Sequence, residues 1–135
     1  MNNEQESPRG TLILRTLAMP ANTNPNGDIF GGWLLSQMDL AGGMVARNAT
    51  GSRAVTVAMD GVKFIKPVKV GDVVCCYGEV SKIGNTSVTL KIETWVDPML
   101  RNIEDRQPRF KVTEAVFVFV AIDENRQKKV IQIPT

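Results

Sequence analysis

The 135-residue chain contains no histidine. That single absence removes Ser-His-Asp and Cys-His catalysis, and most zinc enzymes with them. Cysteine is nearly absent too, and its two copies, Cys75 and Cys76, are adjacent. Neighbours in a strand point to opposite faces, so these two are not expected to pair with each other. They read as buried thiols of a reducing compartment, with no basic activator beside them in sequence. No metal site is expected from such a set. Any acid-base chemistry falls to Asp, Glu, Lys or Tyr.

Excess charge is also missing. The net charge is +2, and no window carries the tight Lys/Arg cluster with interleaved aromatics that a nucleic-acid reader needs. The apolar runs fall well short of the ~18 residues that span a bilayer, so no membrane segment is expected. The polar start, MNNEQESPRG, has no apolar core of a signal peptide or anchor, and the expected location is cytoplasmic. What is present is ordinary: 43% hydrophobic and 22% charged residues, enough for one domain with a real core.

The pattern along the chain predicts an α+β domain over residues 10–123. A disordered lead (1–9) precedes it and a short tail (124–135) follows. TLILRTLA, Thr11 to Ala18, reads as a strand. A loop with two prolines and Asn26-Gly27 leads into a helix from Phe30 to about Asn48, closed by Gly51. Then period-two patterns predict strands at Arg53–Phe64, Val73–Lys82, Thr86–Val96 and Arg109–Ile122. A polar loop fills 98–108. Short connections make neighbouring strands antiparallel, so one helix is covered by one antiparallel sheet. The helix is apolar beyond one stripe, and VTEAVFVFVAI is apolar on both faces. A second copy of the chain is the simplest cover.

Asp39 interrupts this apolar helix. Residues three, four and seven away are Gly32, Leu35, Ser36, Gly42, Gly43 and Ala46, mostly small. Glycine weakens a helix by roughly 1 kcal/mol relative to alanine, so something is expected to approach closely there, a ligand or another backbone. A carboxylate in such a place is either satisfied by hydroxyls or an arginine, or works as a base or nucleophile in a shielded crevice. Gly31-Gly32 opens the helix, where free N–H groups and the positive dipole end can polarise a carbonyl oxygen.

LRTLAMPANTNPNGDIFGGWLLSQMD, FIKPVKVGDVVCCYGEV and VTEAVFVFVAID together resemble the YciA-type acyl-CoA thioesterases of the hotdog-fold superfamily. The resemblance implies one long central helix wrapped by a curved five-stranded antiparallel sheet. It also implies subunits joined edge to edge, with three such dimers in a hexamer. It implies hydrolysis of acyl-CoA to free acid and CoA, with no separate cofactor, since CoA is part of substrate and product. By motif position, Asn24 and Asp39 from opposite subunits would form the catalytic pair. The N–H groups of Gly31 and Gly32 would hold the thioester oxygen. Whether Asp39 is base or nucleophile stays open. The phosphates of CoA need a basic, exposed handle, for which Lys66, Lys82 and the Gly84-Asn85 turn are the candidates. The competing expectation is a hotdog protein that binds acyl-CoA without cleaving it, for which Asp39 would have no purpose. A hotdog dehydratase is disfavoured by the lack of histidine.

Overall fold

The computed structural model describes residues 7–105 and 107–132. Of the expected lead, 1–6 lies outside the described residues, as do 133–135 of the tail. Strand β1 is Thr11–Leu17. Helix α1 runs Gly31–Thr50, slightly longer than its apolar pattern suggested. It buries Leu34, Met38, Ala41, Gly42 and Ala46 along one side. It stops at Gly51, whose φ of +69° is the left-handed conformation that closes helices, with its N–H donating to the Arg47 carbonyl at 2.9 Å.

Strands β2 (Arg53–Phe64), β3 (Val73–Ile83), β4 (Ser87–Asp97) and β5 (Phe110–Ile122) follow. All pairings are antiparallel, in the order β1-β3-β4-β5-β2. The sheet wraps α1. Val88, Leu90 and Ile92 of β4 and Phe117 and Phe119 of β5 pack on Met38, Ala41 and Ala46. A second apolar cluster gathers Ala18, Ile29, Leu34, Val68 and Val112 at the other end of the helix.

The two cysteines separate as expected. Cys76 is wholly buried in the first cluster and lies 3.7 Å from the Thr94 hydroxyl, while Cys75 is buried on the outer face beside Arg15. Burial pushes the Cys76 thiol up to about 11, so it stays protonated and inert at neutral pH.

Two expectations need correction. The close approach to Gly42 is made by a side chain of the same domain, not by a ligand or a backbone: a Cβ there would lie 2.9 Å from the Phe119 ring. The uncovered apolar surface is also not chiefly on β5, which lies inside the sheet with its outer face half-buried. It lies on the edge strand β2 and just beyond, where Val57, Met59, Val62, Phe64 and Ile65 are exposed. A 12-residue edge with unpaired backbone and an apolar surface is a template for a further strand.

The 98–108 segment is not merely a polar loop. It carries a short 3-10 turn at Ile103–Asp105 and contributes Arg101 to a buried ion pair. The described part of the tail folds back, with the Ile131 N–H donating to the Asn85 carbonyl at 2.8 Å.

Candidate active site at the helix start and the β2 edge

The loop before α1 is tied up by Asn24. Its backbone N–H donates to the Asp28 carbonyl at 2.7 Å, and the N–H groups of Asn26 and Asp28 donate to its side-chain Oδ1 at 2.9 and 3.2 Å. Gly27, with φ of +85°, makes the turn that this needs. Because two backbone N–H groups occupy Oδ1, that atom must be the amide oxygen. The Nδ2 amide has no partner among the described residues and remains a donor.

The helix start adds two more donors. Trp33 and Leu34 both donate their N–H to the Phe30 carbonyl, at 3.1 and 3.2 Å. The N–H groups of Gly31 and Gly32 have no acceptor among the described residues, as the first turn of a helix requires unless something caps it. Open space surrounds the missing side chain of Gly32, whereas Gly31 abuts the Phe64 ring, at 3.2 Å from an added Cβ. Asn24, Asp28, Gly31, Leu34, Phe64 and Lys66 line one cleft of about 290 Å³.

Asp39 stands eight residues further along the helix from Gly31, a rise of roughly 12 Å. It is half-buried. Its Oδ1 accepts a hydrogen bond from the Thr56 hydroxyl of β2 at 2.5 Å, and it makes no ion pair among the described residues. So one chain holds the carboxylate and the Asn24 cleft apart, both beside the β2 edge.

Thr56 was not singled out from sequence. The alternation in β2 runs Val55, Val57, Met59 against Thr56, Ala58, Asp60, and the Thr56 side meets the helix. Val57 and Met59 are 55% and 46% exposed. A polar residue on the inner face of a strand, opposite a helical carboxylate, is the signal that could have found it.

The basic candidates are split. Lys66 belongs to the Asn24 cleft. Lys82, Gly84 and Asn85 sit at the opposite end of β3, roughly 33 Å away along the strand. The Gly84 N–H already donates to the Ser87 carbonyl at 2.7 Å. Among the described residues no three His, Cys, Asp or Glu side chains gather as metal ligands, and no helix is long and apolar enough to cross a membrane.

One helix wrapped by a five-stranded antiparallel sheet is the hotdog arrangement. Residues 26–101 match the thioesterase superfamily. The chain is 47% identical over 133 residues to the acyl-CoA thioester hydrolase YciA of Escherichia coli, covering 98% of this chain and 99% of that one. It is also similar to the hexameric thioesterase y2039 of Yersinia pestis. That structure has a TM-score of 0.87 and 51% identity, over 93% of this chain and 99% of that one. A third likeness is to HI0827, a hexameric broad-specificity acyl-coenzyme A thioesterase solved with one aspartate changed to alanine. Its TM-score is 0.88 at 50% identity, over 92% and 88% of the two chains. The chain belongs to the hotdog thioesterase superfamily and, within it, to the YciA-type acyl-CoA thioesterases.

Proposed function

We propose that this chain hydrolyses acyl-CoA thioesters at a site completed by two protomers, with Asp39 from one and the Asn24 cleft from the other. The observation that carries the reading is the placement of both halves along one unpaired, apolar strand edge. Pair β2 with the β2 of a second copy about a two-fold axis, and the strands run antiparallel. The partner's strand end then lies beside the start of this one. With the axis at the middle of β2, the partner's cleft comes within roughly 10 Å, measured along the strand, of Thr56 and Asp39. Three such dimers would give the hexamer described for the relatives.

The chemistry follows from the donors and the carboxylate. The thioester oxygen sits at the helix start, facing the Gly31 and Gly32 N–H groups and the Asn24 Nδ2 amide. These donors stabilise the charge that develops on oxygen as the carbonyl is attacked. Asp39 either takes a proton from the attacking water or attacks the carbonyl carbon itself. In the first route water forms the new C–O bond and the C–S bond breaks. In the second an acyl-aspartyl anhydride forms and is then hydrolysed. Both release CoA as a thiolate, a leaving group stable enough to depart without a histidine acid.

Free-thiol release from acyl-CoAs of graded chain length tests the reading. Turnover is expected, and its absence across the whole series would refute it. Asn24→Asp sharpens the assignment: it keeps the acceptor oxygen that ties the loop but loses the outward amide. Hydrolysis is expected to fall about tenfold or more, the scale of a charge-assisted hydrogen bond, with the fold unchanged. A wild-type rate would exclude Asn24 as a donor.

A further inference from the structure

The segment 98–108 connects to the cleft residue Lys66 through contacts on Phe110 that the acyl-CoA reading does not use. Asp72 is wholly buried. Arg101 donates to it from both Nε, at 2.8 Å to Oδ1, and Nη2, at 2.6 Å to Oδ2, while the Lys69 N–H donates to Oδ2 at 2.9 Å. Such a two-point pair fixes the plane of the guanidinium. That guanidinium lies over the Phe110 ring, 5.4 Å from its centroid. The Lys66 ammonium lies over the same ring at 4.9 Å.

Lys66 makes no ion pair among the described residues, although Asp28 lines the same cleft. It precedes Pro67, which confines its backbone to extended conformations. Its ammonium therefore rests against an aromatic face, with no counter-ion among the described residues. Lys66 is two residues beyond Phe64, whose ring abuts Gly31. Roughly 7 Å of chain, plus the lysine side chain, separates the ammonium from the helix start. A thioester held at the helix start must send its long pantetheine arm outwards, with the phosphates at the far end. The aromatic seat matters because a free lysine samples many rotamers, and ordering it on binding would cost affinity.

We propose that Phe110, backed by the Arg101–Asp72 pair, is a positioning residue that presents Lys66 to the phosphates of CoA, so that the 98–108 segment is part of the substrate site. This rests on the acyl-CoA reading above. The phosphate-bearing half of the substrate is thereby recognised by the same protomer that supplies Asn24 and the helix start.

The test compares acyl-CoA with the matching S-acyl-pantetheine, which carries the same thioester but no phosphate. Lys66→Gln is expected to raise KM for acyl-CoA about tenfold. Phe110→Leu is expected to raise it about threefold, the scale of a lost cation–aromatic contact. In both, kcat stays within about twofold of wild type, and S-acyl-pantetheine kinetics do not change. Phe110→Tyr keeps the ring and is expected to restore the wild-type KM. A Phe110→Leu loss of equal size on both substrates, or one not rescued by tyrosine, would mean that the ring only supports the fold. An unchanged acyl-CoA KM in Lys66→Gln would overturn the proposal outright. Failure of the underlying reading looks different: wild-type protein would then cleave neither substrate.

Discussion

Asp39→Asn is expected to fold and assemble as the parent does, to bind CoA, and to hydrolyse acyl-CoA at least ~100-fold more slowly. That factor corresponds to about 2.7 kcal/mol of lost transition-state stabilisation. Asparagine is nearly isosteric, and its amide oxygen can still accept from the Thr56 hydroxyl, so the contact that anchors the side chain survives. What disappears is the negative charge. A general base and a nucleophile both need it, so the prediction holds for either route. Because Asp39 has no ion-pair partner among the described residues, its removal strands no cation. The fold therefore has no electrostatic reason to suffer. A variant that binds CoA and turns over at the parental rate would exclude Asp39 as either base or nucleophile.

Asp72→Ala is expected to act on stability. Asp72 is fully buried, and Arg101 opposite it has only 13% of its side chain exposed. Removing one member of a buried pair leaves the other charge desolvated without its carboxylate, which costs about 3–5 kcal/mol. For a domain of this size that lowers Tm by roughly 10–20 °C, compared at equal protomer concentration because assembly contributes to stability. The double variant Asp72→Leu with Arg101→Leu is expected to recover much of the loss, since apolar replacements of buried pairs often cost little. Unfolding of Asp72→Ala within about 0.5 kcal/mol of the parent would show that the pair holds nothing together.

These two residues differ in how far sequence exposes them. Asp39 is conspicuous because a carboxylate breaks an apolar helix. The element order is equally plain: Gly51 ends the helix with a left-handed residue, and period-two runs bounded by Gly and Pro mark the strands. Asp72 looks like any turn aspartate in VGD. Its partner is 29 residues away, in a loop whose composition gives no structural signal. Long-range pairing of that kind depends on the sheet order β1-β3-β4-β5-β2, which local pattern does not encode. The reason for Gly42 was hidden likewise, since the Phe119 ring that fills its space comes from β5. Thr56 was missed because β2 turns Val57 and Met59 away from the helix, which reverses the usual sense of the alternation. Lys66 and Lys82 look alike as strand-end lysines, and only the fold separates them by the length of the sheet.

The claim that two protomers build each site is tested most directly by mixing two impaired proteins, Asn24→Asp and Asp39→Asn, under conditions of verified subunit exchange. A mixed dimer places both changes in one site and leaves the other intact. Equal mixing is therefore expected to restore about a quarter of wild-type activity, from a random association of subunits across a two-fold interface. Activity that stays at the level of the separate variants, with exchange demonstrated, would place the amide and the carboxylate in the same chain and contradict the shared site.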